Sequence, residues 1–184
     1  MTLDPSLIVG LCWLVFFVAW AILATIHGRG GRRSSSAGAA GLRLLVLAAV
    51  YLGIFYSDSV RPFGDFTDGC ATAGVLLCIV GLQLAVWARV TLGRSWGMPM
   101  TLHKNPELVT GGPYRYVRHP IYTGLSAMLI GTSLVHPLAA APCLFIVAYY
   151  AFAARREERD MEQRFPDTYP EYKRHSKFLV PFLL

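Results

Sequence analysis

From Leu7 to Ile26 the chain runs for 20 residues without a single charge. At about 1.5 Å of helical rise per residue, such a run spans the roughly 30 Å hydrocarbon core of a bilayer. A cleaved signal segment would be preceded by Lys or Arg, but here only Asp4 precedes the run, so it reads as a retained membrane helix. Composition agrees: 54% of the 184 residues are hydrophobic and only 15% are charged, against about 25% charged in an average soluble domain.

Four further apolar runs follow, at about 42–56, 70–88, 120–135 and 137–154. The second is short and begins with Arg43, whose stem can carry its charge to the interface. The last two are separated only by His136-Pro137, and a proline there forces a break, so a tight helical hairpin is expected. The fold class is therefore all-α: a polytopic membrane bundle of about five spans, with a charged helix continuing into the carboxyl-terminal tail. One membrane domain, 1–184, accounts for the whole length.

Charge tests this count. With five alternating spans, one side receives 16 of the 17 Lys and Arg and 7 of the 11 acidic residues. That bias matches the positive-inside rule, and puts the amino terminus outside and the tail in the cytoplasm. The same distribution removes the case for a nucleic-acid partner that a net charge of +6 would otherwise raise; membrane lipid headgroups account for it. The glycine-rich basic stretch from Gly28 lacks the G-x-G-x-x-G spacing and follows a membrane helix, so it reads as a linker. Cys12, Cys70, Cys78 and Cys143 sit in apolar surroundings with no C-x-x-C pair, and no metal site is expected. There is no internal repeat.

Two segments depart from apolar spans and basic loops. The first is Glu107 to Gly124, a turn-rich approach through Gly111, Gly112 and Pro113 that enters the fourth span at Pro120. Proline suits a first helical turn, leaving His119 at the N-cap behind Arg118. Free N–H groups, an arginine and a histidine make an anion site, with Tyr114, Tyr116 and Tyr122 supplying aromatic faces. An interfacial aromatic belt explains the same tyrosines without any ligand. The second segment, Arg155 to Phe165, continues the fifth span out of the bilayer and holds Glu157 and Glu158. If the last two spans form a hairpin, Arg118 and His119 lie at the depth of Glu157 and Glu158.

The run Gly112-Pro-Tyr114…Arg118-His119-Pro120-Ile-Tyr122-Thr-Gly124 resembles the isoprenylcysteine carboxyl methyltransferase family and the related phospholipid methyltransferases. So do Glu157-Glu158-x-x-Met161…Phe165…Tyr169…Tyr172 with Pro181 in the tail, and Leu92-Gly93-x-x-Trp96 upstream. The resemblance covers about residues 87 to 184. It implies a membrane enzyme that takes a methyl group from S-adenosylmethionine and gives it to a lipophilic acceptor, by carboxyl O-methylation of an isoprenylcysteine-like acid or by N-methylation of a phospholipid amine. It also implies a cofactor pocket of Glu107, Leu108, Val109, Gly112, Tyr114, His119, Pro120, Tyr122 and Glu157, with Arg118 and Glu158 orienting the reactants. Residues 1–86 would then be scaffold helices and 87–184 the catalytic half, on the cytoplasmic side. Exchanging Arg118 or Glu157 for alanine is expected to abolish transfer in a folded protein.

Two positions depart from the family pattern: Pro106 stands where a histidine is usual, with His103 nearby, and Ala153 where the prenylcysteine enzymes have an arginine, with Arg155 and Arg156 nearest. A nicotinamide-dependent membrane sterol-type reductase and a non-catalytic binder of anionic lipid are the competing readings.

Overall fold

A computed structural model describes residues 4–27, 68–93 and 108–179. They form helices α1 (Pro5–His27), α2 (Asp68–Leu92), α3 (Pro120–Val135), α4 (Ala140–Arg164) and α5 (Tyr169–His175), with 3-10 turns at Gly112–Arg115 and Pro137–Ala139. No strand occurs among the described residues; the one bridge pairs Val117 with Lys177. Among the described residues three helical stretches are long and apolar enough to cross a membrane: Pro5–Ile26, Gly69–Leu92 and Pro137–Arg164. The expected second span, 42–56, lies outside the described residues.

The centre of the bundle is the antiparallel crossing of α2 and α3. Glycines spaced by seven residues on each helix face one another. A Cβ on Gly81 would lie 2.5 Å from the Gly124 carbonyl oxygen, and one on Gly131 would lie 2.5 Å from that of Gly74. With no side chain at these points the two backbones touch, which is how membrane helices gain packing where lipid removes the hydrophobic drive. Val9, Cys12, Phe16 and Trp20 recur every three or four residues on one face of α1 and close over Cys78, Ala85 and Met128. Trp13 Nε1 donates to Thr132 Oγ1 at 3.0 Å, tying α1 to α3.

The opposite faces stay apolar and exposed: Leu7, Leu11, Leu14 and Val18 on α1, and Leu144, Phe145, Tyr149 and Phe152 on α4. Surfaces of this extent and character face lipid.

The hairpin forms as expected. His136 N–H still bonds Thr132, then Pro137 opens a 3-10 turn that leads into α4. The charged segment 155–164 forms the last turns of α4, continuing the fifth span as expected. One boundary differs: α2 does not end at Ala88 but runs to Leu92, taking Arg89 out of the expected basic segment and into the bundle at 1% exposure. Arg89 tolerates this because its long stem carries the guanidinium to the helix ends. There it donates to the carbonyls of Gly93 (3.0 Å) and Leu23 (3.4 Å) and lies 5.8 Å from the Trp20 ring centre.

Candidate active site

The hairpin brings the start of α3 and the end of α4 to one level, where five motif residues meet. Arg118 Nε donates to Glu158 Oε1 at 2.5 Å. His119 lies between the two carboxylates, with Nδ1 3.6 Å from Glu157 and Nε2 3.6 Å from Glu158. The Tyr122 hydroxyl donates to Glu157 Oε1 at 2.6 Å. Thus Arg118, His119, Tyr122, Glu157 and Glu158 converge, as the hairpin argument requires.

His119 does stand at the N-cap of α3, with Pro120 in the first turn, but its side chain makes no cap hydrogen bond. The imidazole turns to the glutamates instead. Burial by itself lowers the His119 pKa, yet the attraction of Glu157 and Glu158 outweighs it and raises the value above the ordinary 6.5. Among the described residues its buried Nε2 faces Glu158 at 3.6 Å, beyond hydrogen-bond distance.

The two glutamates play different parts. Glu158 is 11% exposed and receives Arg118 and, at 3.2 Å, Lys173, which also holds Glu162 at 2.8 Å. Glu157 is 51% exposed and turns a carboxylate outward beside stacked rings. Tyr122 lies against His119 (centroids 6.0 Å) and against Tyr150 (5.2 Å, interplanar 22°).

The remaining expected residues take up the approach to α3. Leu108 and Val109 are half-buried on an extended stretch. Gly112 has φ +57, and a Cβ there would meet Thr91 at 2.8 Å, so glycine is required for the turn itself. Tyr114 is buried; burial pushes its phenol up, and its carbonyl accepts the Tyr172 hydroxyl at 2.7 Å. Glu107, His103 and Pro106 lie outside the described residues.

Sequence reading missed the returning tail. Arg118 N–H donates to the Lys177 carbonyl and Lys177 N–H to that of Tyr116, at 2.8 and 2.9 Å. The Arg118 guanidinium also donates to the Ser176 carbonyl, and the Thr123 hydroxyl donates to that of Leu179. Phe178 lies edge-on to His119 at 5.4 Å, and the guanidiniums of Arg118 and Arg155 sit 5.8 and 5.7 Å from its centre. The tail is thereby stitched over the ion pair. Arg118, expected to await an external anion, is occupied by Glu158 and by tail carbonyls. Only the tail's aromatic and basic residues hinted at this. Among the described residues no group of three His, Cys, Asp or Glu is placed to hold a metal ion.

Known proteins are similar to this chain. It is 32% identical over 117 residues to a probable protein-S-isoprenylcysteine O-methyltransferase of Oryza sativa subsp. indica, covering 60% of each chain. To the protein-S-isoprenylcysteine O-methyltransferase of Saccharomyces cerevisiae it is 31% identical over 135 residues, 71% of this chain and 56% of that one. A cobalt-zinc-cadmium resistance protein of Cupriavidus metallidurans is 33% identical over 126 residues, 63% of this chain and 54% of that one. The chain thus spans little more than half the length of the curated relatives it matches. The family model for phospholipid methyltransferases matches residues 70–168, from α2 through both motif segments to the tail. That match covers more than half of an integral membrane chain, which therefore belongs to the phospholipid methyltransferase family.

Proposed function

We propose that the protein is an S-adenosylmethionine-dependent methyltransferase acting on a lipophilic carboxylic acid of the isoprenylcysteine type. The observation that carries this is the outward-facing carboxylate of Glu157, held by Tyr122 and His119 within the segment that matches the phospholipid methyltransferase family, in a chain similar to isoprenylcysteine O-methyltransferases. A half-exposed carboxylate beside stacked aromatic rings fits a ligand with an ammonium, a sulfonium and ribose hydroxyls. When bound, S-adenosylmethionine supplies an activated methyl group.

Leu108, Val109, Tyr114, His119, Pro120, Tyr122 and Glu157, with Glu107 and Gly112, would line its pocket, Gly112 by shaping the turn. Arg118 and Glu158 brace that wall. A carboxylate acceptor is already a nucleophile, so the side chains need only position it and exclude water. An amine acceptor needs a base, and Glu158 is poorly suited because Arg118 and Lys173 already engage it. Carboxyl O-methylation is thus favoured over N-methylation. The acceptor's apolar part enters from the bilayer beside α4, residues 87–184 form the catalytic half on the cytoplasmic side, and residues 1–86 support it.

The test is calorimetric titration of the purified protein with S-adenosylhomocysteine and with NADPH. Saturable binding of the first alone is expected. Binding of NADPH alone would transfer the site to a reductase, and binding of neither to a folded sample would refute the methyltransferase reading.

A further inference from the structure

The Glu157 carboxylate is only as well placed as the phenol that holds it. Tyr122 reaches Glu157 through its hydroxyl at 2.6 Å. The orientation of its ring aims that hydroxyl, and among the described residues the ring stacks on two neighbours. His119 is one, and belongs to the charged cluster itself. Tyr150 is the other, with its ring 5.2 Å away and inclined by only 22°. Tyr150 sits seven residues before Glu157 on α4, two turns deeper and on the same face. It packs on the Leu129, Ala139 and Cys143 cluster where α3 and α4 meet. The hairpin core is thereby linked to a half-exposed carboxylate through two stacked rings.

We infer that Tyr150 is a positioning residue of the donor pocket, acting through the Tyr122 ring to fix the Glu157 carboxylate. The inference rests on the proposed function, because Glu157 needs a fixed position only if it contacts the methyl donor. Tyr150 contributes its ring rather than its hydroxyl: the stack alone transmits the constraint. An offset stack of this kind corresponds to about two- to tenfold in an equilibrium.

The test is a double-mutant cycle read by S-adenosylhomocysteine affinity and by the KM for S-adenosylmethionine. Tyr150→Leu keeps an apolar side chain on α4, and Tyr150→Met serves as a second ringless variant should leucine disturb packing. Either is expected to weaken binding and raise KM by about two- to tenfold. Tyr150→Phe should restore the wild-type values relative to leucine. On a Tyr122→Phe background, which already lacks the hydroxyl donor to Glu157, the Tyr150 exchange should add nothing further. Unchanged binding in both ringless variants would overturn the inference, as would a full additional loss on the Tyr122→Phe background. Failure of the wild type itself to bind S-adenosylhomocysteine would be a different result: it would remove the function, and the inference with it.

Discussion

Exchanging Arg118 for alanine is expected to abolish methyl transfer and also to destabilise the protein. Arg118 and Glu158 are 10% and 11% exposed, and the guanidinium alone links α4 to the carbonyls of the returning tail. Removing one partner of a buried ion pair costs about 3–5 kcal/mol, because the other charge remains desolvated. Lys173 and His119 still face Glu158, so the lower end, about 3 kcal/mol, applies. For a chain of this length that amounts to a fall of roughly 6–12 °C in unfolding temperature, measured in detergent. The double variant Arg118→Ala/Glu158→Ala, which leaves no stranded carboxylate, should recover part of that loss without recovering activity. Unchanged stability of Arg118→Ala would show that the ion pair does not hold the tail down. From sequence alone the same exchange was expected to leave a folded protein; the tail contacts change that expectation.

Glu157→Ala is expected to behave oppositely: activity falls by about 100-fold or more while the unfolding temperature hardly moves. Glu157 is half-exposed, and exposed pairs contribute only about 0–1 kcal/mol to folding. Its proposed contact with the methyl donor is a charge-assisted hydrogen bond, worth about 1.5–3 kcal/mol, or roughly 10- to 100-fold in affinity. Misplacing the donor adds a further loss in the transfer step. The two glutamates are thus separable by experiment: disrupting the Glu158 pair alters both folding and activity, whereas removing Glu157 alters activity alone. Near-normal transfer by Glu157→Ala would remove it from the donor pocket.

Much of this arrangement can be read from the sequence, and the reasons are local. A proline after His119 starts α3, and His136-Pro137 breaks the chain after Val135. Once two helices form a tight hairpin, their outer ends must share a level, which brings Arg118-His119 to Glu157-Glu158. Arg89 shows where such reading fails. A charge after an apolar run looks like a helix end, whereas the Gly93 and Leu23 carbonyls and the Trp20 ring make the burial of Arg89 tolerable. The tail's return is held by an isolated bridge, Val117 with Lys177, and by side-chain contacts such as Arg118 with Ser176, none of which has a periodicity to betray it. Lys173, Ser176 and Phe178 were missed for that reason, and Tyr150 because an aromatic in an apolar run looks like any lipid-facing residue. The seven-residue glycine spacing, 74 and 81 against 124 and 131, was legible in the chain but gains meaning only when the helices are paired.

The central claim is carboxyl methylation of a lipophilic acid, and label transfer tests it most directly. The purified protein, in detergent or vesicles, is incubated with methyl-labelled S-adenosylmethionine and a small S-prenylated cysteine, and the organic extract is counted before and after mild base. Label is expected in the extract and base should release it as methanol, the behaviour of a methyl ester. Base-stable label would contradict O-methylation, and no transfer by a folded protein to this acid or to any membrane lipid present would contradict the enzyme itself.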